Sequence, residues 1–143
     1  MAVYATRDDL EAALGTDTLR SIADRDGDGS ADDDVCDAAL LDASGIADSY
    51  IEVSYQQPIA VVPTMLKRAV IQIANQLLRV GDFPNDLAKA GYDEAISWLK
   101  DVSTGKAILP GQPNVDDGTI DPGDPLIVAG DRVWDRRIAT RLF

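Results

Sequence analysis

The 143-residue chain has no histidine, a single cysteine and two methionines, and only 6% of its side chains are aromatic. Without histidine there is no Ser/His/Asp or Cys/His catalytic set, no imidazole metal ligand, and no side chain with an ordinary pKa near neutrality. Cys36 alone cannot close an intramolecular disulfide or build a multi-cysteine zinc or iron–sulfur site. The expectation is therefore a protein that is not an enzyme. Basic residues are scarce as well: 13 Lys and Arg stand against 25 Asp and Glu, a net charge of −12. Such a field repels nucleic acid and anionic membranes. No run approaches the ~20 apolar residues of a membrane span. The first ten residues carry neither the basic nor the apolar stretch of a secretory signal. We expect a soluble chain made and used in a cytoplasm, with no membrane partner.

What is present suits one domain. Hydrophobic residues make up 45% of the chain, and a chain of this length buries roughly 68–70% of its unfolded surface, so an aliphatic core suffices without disulfide or metal. The charge is unevenly spread. Residues 1–52 carry 14 acids and 3 bases, residues 53–109 carry 5 and 6, and residues 131–143 carry 2 and 4. A basic end on an acidic protein is too local to be an effect of average composition.

The apolar periodicity predicts helices. Thr6 with Asp9 three residues on resembles a capping box, and Leu10 and Leu14 follow at helical spacing, giving a helix over 7–14. Thr16 is placed as the cap of a second helix of a turn or two carrying Leu19, Ile22 and Ala23, which stops at the Asp/Gly cluster 24–30. Over 33–55, Cys36, Leu40, Ala43, Ala47, Tyr50 and Ile51 form one stripe, interrupted only weakly by Gly45. Gln57-Pro58 ends that helix, and 59–62 is an extended link. Pro63 is placed at the first position of a central helix lined by Leu66, Ala69, Val70, Ile73, Leu77 and Val80, widened by Ile71 and Leu78. Pro84-Asn85-Asp86 opens a last helix with Leu87, Tyr92, Ala95, Leu99 and Val102 facing inward and Gly105 as a left-handed terminator.

After Lys106 four prolines and four glycines forbid long regular elements. The fold expected is all-α: a four- to five-helix bundle over 1–105, then an extended C-terminal arm over 106–143. The arm holds Ile108, Leu109, Leu126, Ile127 and Val128, which are poor residues to leave in water. Its tip adds Val133, Trp134, Ile138, Leu142 and Phe143, interleaved with Arg132, Arg136, Arg137 and Arg141. This mixture of cations and large apolar groups suits a protein interface better than a nucleic-acid contact on so acidic a chain. Val133, Trp134, Arg136, Arg137, Ile138, Arg141, Leu142 and Phe143 are the candidate anchor. The arm folds back on its own helices or, the preferred reading for so long an arm, docks on another subunit.

The sharpest local motif is Asp24-Arg25-Asp26-Gly27-Asp28-Gly29-Ser30-Ala31-Asp32. It matches the first nine positions of an EF-hand calcium loop, with carboxylates at positions 1, 3, 5 and 9, glycine at 6, and the Ser30 carbonyl available at 7. Asp24, Asp26, Asp28, Ser30 and Asp32 are the candidate ligands of a structural Ca²⁺. Position 12, where a bidentate Glu normally completes the shell, is Val35. The alternative is a solvated turn in which Asp32 or Asp33 caps the next helix. Elsewhere, Lys67 and Arg68 suit ion pairs or a subunit contact better than a phosphate clamp, which wants a glycine-rich loop. Trp98 and Cys36 suit the core.

In order along the chain stand Tyr4-Ala5-Thr6 with Asp9-Leu10, the Asp24–Gly29 loop, Asp48-Ser49-Tyr50-Ile51, and Gln57-Pro58-Ile59. Val62-Pro63, Leu66-Lys67-Arg68-Ala69 and Ala95-Ile96-x-Trp98-Leu99 follow. This ordered set, covering residues 3 to about 109, resembles the Mu-like bacteriophage head-completion family of head–tail connectors. The resemblance implies a non-catalytic adaptor that assembles as a ring of twelve copies under the portal protein and links the capsid to the stopper or other neck and tail proteins. It implies a place in the virion neck, reached from the host cytoplasm. Genomic DNA would pass through the ring unbound, because an acidic wall repels it. The competing reading is a calcium-binding regulatory or interaction module centred on the 24–32 loop.

Overall fold

The computed structural model describes residues 2–79 and 85–115. Among these residues there are five helices and no strand: α1 (Arg7–Leu14), α2 (Thr16–Ala23), α3 (Asp33–Ile51), α4 (Thr64–Leu78) and α5 (Asp86–Ser103). The all-α expectation holds. The capping box forms as the sequence indicates, with the Thr6 hydroxyl accepting from the Asp9 N–H while the Asp9 carboxylate accepts from the Thr6 N–H.

The helix α4 is the centre of the bundle, packed against both α3 and α5, with α1 laid across α3 and α4. Its buried face is Leu66, Ala69, Val70, Ile73, Ala74 and Leu78. These meet Cys36, Leu40, Ala43, Ala47 and Ile51 of α3, and Ala95, Leu99 and Val102 of α5. Five of the seven buried residues of α3, Cys36, Ala39, Ala43, Ser44 and Ala47, are small, and small side chains let backbones approach closely. Its buried Ser44 hydroxyl accepts the Tyr4 N–H at 3.2 Å, which ties the amino-terminal segment to the bundle. The Tyr4 hydroxyl in turn donates to Asp48.

Four local expectations need correction. Helix α3 stops at Ile51, four residues short, because residues 52–54 turn and deliver Tyr55 as a separate buried side chain. Pro63 is the N-cap of α4 and not its first helical residue, with an extended backbone at φ −65° and ψ 148°. Leu87 faces outward, 84% exposed. Asn85 fixes the phase of α5 by accepting the N–H groups of Leu87 and Ala88, so the inward stripe runs Ala88, Ala95, Leu99, Val102 and Leu87 lies about 100° off it. Asp32 occupies the N-cap position of α3 but makes no capping hydrogen bond there.

The proposed arm also begins later than its composition indicates. Gly105 terminates α5 at φ 78°, after which residues 106–115 turn back onto the body. Leu109 is fully buried, and its N–H donates to the Tyr55 hydroxyl at 3.1 Å. The Val115 N–H donates to the Ser54 carbonyl at 2.8 Å, and Gln112 reaches the Val61 carbonyl. Ten residues of Pro/Gly-rich chain are thus part of the packed unit. Val80 and the candidate anchor residues 133–143 lie outside the described residues.

Candidate functional site

The acidic loop joins α2 to α3 and folds around its own carboxylates. Asp24 accepts the N–H groups of Gly27 at 2.7 Å and Gly29 at 3.0 Å. Asp26 accepts from the Asp28 N–H, and Asp28 accepts from both the N–H and the hydroxyl of Ser30 at 2.8 Å. Asp32 closes the loop by accepting the Arg25 N–H at 2.9 Å, which is why it does not cap α3. Gly27 and Gly29 stand at φ 79° and 91°, a region costly for any residue with a Cβ, so the Asp-Gly-Asp-Gly alternation is what lets the chain reverse here.

The structure brings three of the candidate ligands together. Asp24, Asp26 and Asp28 each place a carboxylate oxygen within 4.8 Å of the others. Ser30 is turned onto Asp28, and Asp32 onto the Arg25 backbone. The Ser30 hydrogen bonds hold the Asp28 carboxyl below the usual carboxylate range. Three converging carboxylates can hold a hard cation through oxygen. The same carboxylates also supply the acceptors that the loop's own amides need.

The cations and the cysteine fall into structural roles. Lys67 donates to Asp9 at 3.2 Å, and Arg68 lies 3.8 Å from Glu94, so neither forms a phosphate clamp. Arg7 pairs with Asp33 at 2.6 Å, tying α1 to the start of α3. Cys36 is fully buried; burial pushes its thiol pKa up, against an opposing pull from Arg7.

A second feature is less visible from sequence. Val61, Val62, Pro63, Thr64, Met65, Trp98, Ile108 and Pro110 line an open groove of about 500 Å³ that contains no charged side chain. Val61 is 70% exposed, Met65 46% and Ile108 76%. Trp98, expected in the core, packs against it only in part and shows its other side to this groove. A signal was present in the spacing: Met65 and Ile108 each sit one position off a buried leucine, as apolar residues without a core to fill. A neighbouring groove, lined by Val53, Tyr55, Ser103, Gly105 and Asn114 among others, shares Ile108 with the first. Val115, next to Asn114 of the second groove in sequence, is 51% exposed.

None of the helices described is long and apolar enough to cross a membrane. Comparison with known proteins places the chain in a lineage. The chain is 37% identical over 105 residues to gene product J of Escherichia phage Mu, an alignment covering 72% of this chain and 73% of that protein. It is 30% identical over 136 residues to the Mu-like prophage FluMu protein gp36 of Haemophilus influenzae, covering 95% of each. The model of the family described as Bacteriophage Mu, Gp36 matches residues 4–120, from the tyrosine that anchors the amino terminus to beyond the last described residue. The chain therefore belongs to the bacteriophage Mu Gp36 family.

Proposed function

We propose that the protein is a virion structural subunit without catalytic activity, a head–tail adaptor that forms a ring below the portal and joins capsid to stopper or tail. The observation that carries this reading is the contrast within one small chain. A strongly acidic helical body presents an uncharged apolar groove, and the sequence then runs on to an arginine-bearing apolar end. An acidic body lets DNA pass without sticking. Exposed apolar surface of this kind marks a contact with another protein, and membership of a phage family makes virion components the natural partners.

In a cyclic ring each subunit uses two different patches, one complementary to the other. The nearly neutral α4/α5 side suits those contacts better than the acid-rich α1–α3 side, where like charges on neighbouring copies would repel. Residues 133–143 serve in this reading as the anchor on a neighbouring copy or on the portal. The 24–32 loop is a self-braced turn, because its carboxylates already serve its own amides. Electron microscopy of particles from cells expressing this chain with its genetic neighbours tests the proposal. Density for the chain between capsid vertex and tail supports it; particles whose necks lack the chain overturn it.

A further inference from the structure

We infer that the apolar groove is the docking site for the chain's own last eleven residues, 133–143, held in cis while the subunit is free. The groove walls Val61, Met65, Trp98, Ile108 and Pro110 offer a hydrophobic surface that no other described residue covers. By itself the groove is too small to hold a second copy of the body while the subunit is free. Stable interfaces between folded subunits engage about 20–30 residues a side, whereas eight residues line this groove. That is the scale of a short segment inserting three or four side chains.

The segment that fits is in the same chain. Trp134, Ile138 and Leu142 recur every four residues, the interval at which one helical face repeats, with Val133 and Phe143 beside them. Residues 133–143 carry three arginines and one aspartate, a charge of +2, against −10 over residues 1–115. The body's overall charge therefore attracts this segment, while the uncharged groove selects its apolar side chains.

Reach and starting point favour the cis arrangement. The described chain ends at Val115, hydrogen-bonded to Ser54 beside the second groove, which shares Ile108 with the first. Seventeen residues, 116–132, separate that point from Val133. Seventeen residues of chain can span at most about 60 Å, so reach does not limit return to a site next to its origin. Such a tether supplies an effective concentration in the millimolar range, well above that of other copies in dilute solution. A free subunit would thus shield its own sticky surface and release it when assembly offers a larger one. The docking does not depend on which virion component that is.

The two methionines make the test simple, because Met65 lies in the groove and Met1 is the one other methyl-methionine signal. Full-length chain carrying ¹³C-methyl methionine is compared with the full-length double variant Trp134→Ala, Ile138→Ala, and Leu126→Ala serves as a linker control. The expected result is a displaced Met65 resonance in the double variant alone, with the helical circular dichroism unchanged and a melting temperature no higher than that of the wild type. An identical Met65 resonance in wild type and double variant overturns the proposal. In a second arm, labelled double variant is mixed with excess unlabelled wild type. Its Met65 signal stays in place if docking is in cis, and movement towards the wild-type position overturns cis docking in favour of a neighbouring copy.

Discussion

Leu109 offers the most direct test of where the folded unit ends. It lies four residues beyond the αL glycine that closes α5, in a segment whose prolines and glycines suggest an unpacked tail. Yet it is 1% exposed, and its N–H donates to a buried tyrosine hydroxyl. Truncating a fully buried leucine to alanine costs about 2–5 kcal/mol, from lost transfer energy and the cavity left behind. Leu109→Ala should therefore cost about 3 kcal/mol, a large share of the ~5–15 kcal/mol that holds a domain together. Leu87, outside both grooves, is 84% exposed, and Leu87→Ala should stay within about 0.5 kcal/mol of wild type. Tyr55→Phe keeps the ring but leaves the Leu109 amide without its acceptor, at a cost of roughly 1–3 kcal/mol.

The assay is equilibrium urea unfolding followed by helical circular dichroism. With a slope of about 1.5–2 kcal/mol per molar urea, the loss at Leu109 lowers the midpoint by roughly 1.5–2 M. Because the two groups touch, Leu109→Ala and Tyr55→Phe should be non-additive in the double variant. If Leu109→Ala shifts the midpoint no more than Leu87→Ala, residues 106–115 are not part of the cooperative unit and the reasoning fails.

Four further outcomes follow from the same geometry. Asp9 and Asp28 have carboxyl pKa values lowered from 3.8, Asp9 chiefly by the Thr6 N–H and hydroxyl, Asp28 by the Ser30 N–H and hydroxyl. As pH falls the unfolded chain takes up these protons first, so their contribution is complete above about pH 5 and fades below about pH 4. Melting curves should show that slope, and Asp9→Asn should flatten it; an unchanged slope refutes the assignment. Thr6→Ala should cost about 1 kcal/mol through loss of the cap. Cys36 should resist thiol reagents until the chain unfolds, its buried thiol having little thiolate character, and rapid labelling of the native protein would contradict this. The 24–32 loop, if braced by its own amides, should melt identically with millimolar calcium and with chelator, whereas a calcium-dependent rise would restore the ion site.

Helix positions were legible in the sequence wherever a local signal and the tertiary environment agreed. The Thr6–Asp9 box, the α3 stripe from Cys36 to Ile51, and the αL position of Gly105 are each written in a few adjacent residues. The misreadings arise where a distant partner decides. Tyr55 continues the helical period, but its hydroxyl and backbone meet Leu109 and Asn114, more than fifty residues away, and the helix gives way to that pairing. Asp32 sits at an N-cap by sequence and serves the Arg25 amide instead, because the loop needs closing more than the helix needs a cap. The groove was least legible of all. Exposure of Val61, Met65 and Ile108 depends on three separate segments ending at one place, which periodicity within any one of them cannot reveal.

The clamp at 106–115 also changes what the remaining chain can do. An arm that left the body at Gly105 would search a wide volume from the end of α5. Pinned at Val115 by the Ser54 carbonyl, it starts beside exposed apolar surface and on the half of the chain that carries almost no net charge. Two copies approaching through their acidic halves are repelled, while approach through the α4/α5 halves brings groove and arm origin together. Under the adaptor reading charge would therefore select the face, and the groove, once released by its own chain end, would supply apolar contact. Since the Debye length shrinks from ~30 Å at 0.01 M salt to ~8 Å at 0.15 M, that selection acts over a subunit's width only in dilute salt, and at physiological salt it is settled within a few side chains of contact. Under the adaptor reading, assembly on a template should accordingly tolerate moderate salt far better than it tolerates a charge placed in the groove, such as Ile108→Asp or Met65→Asp.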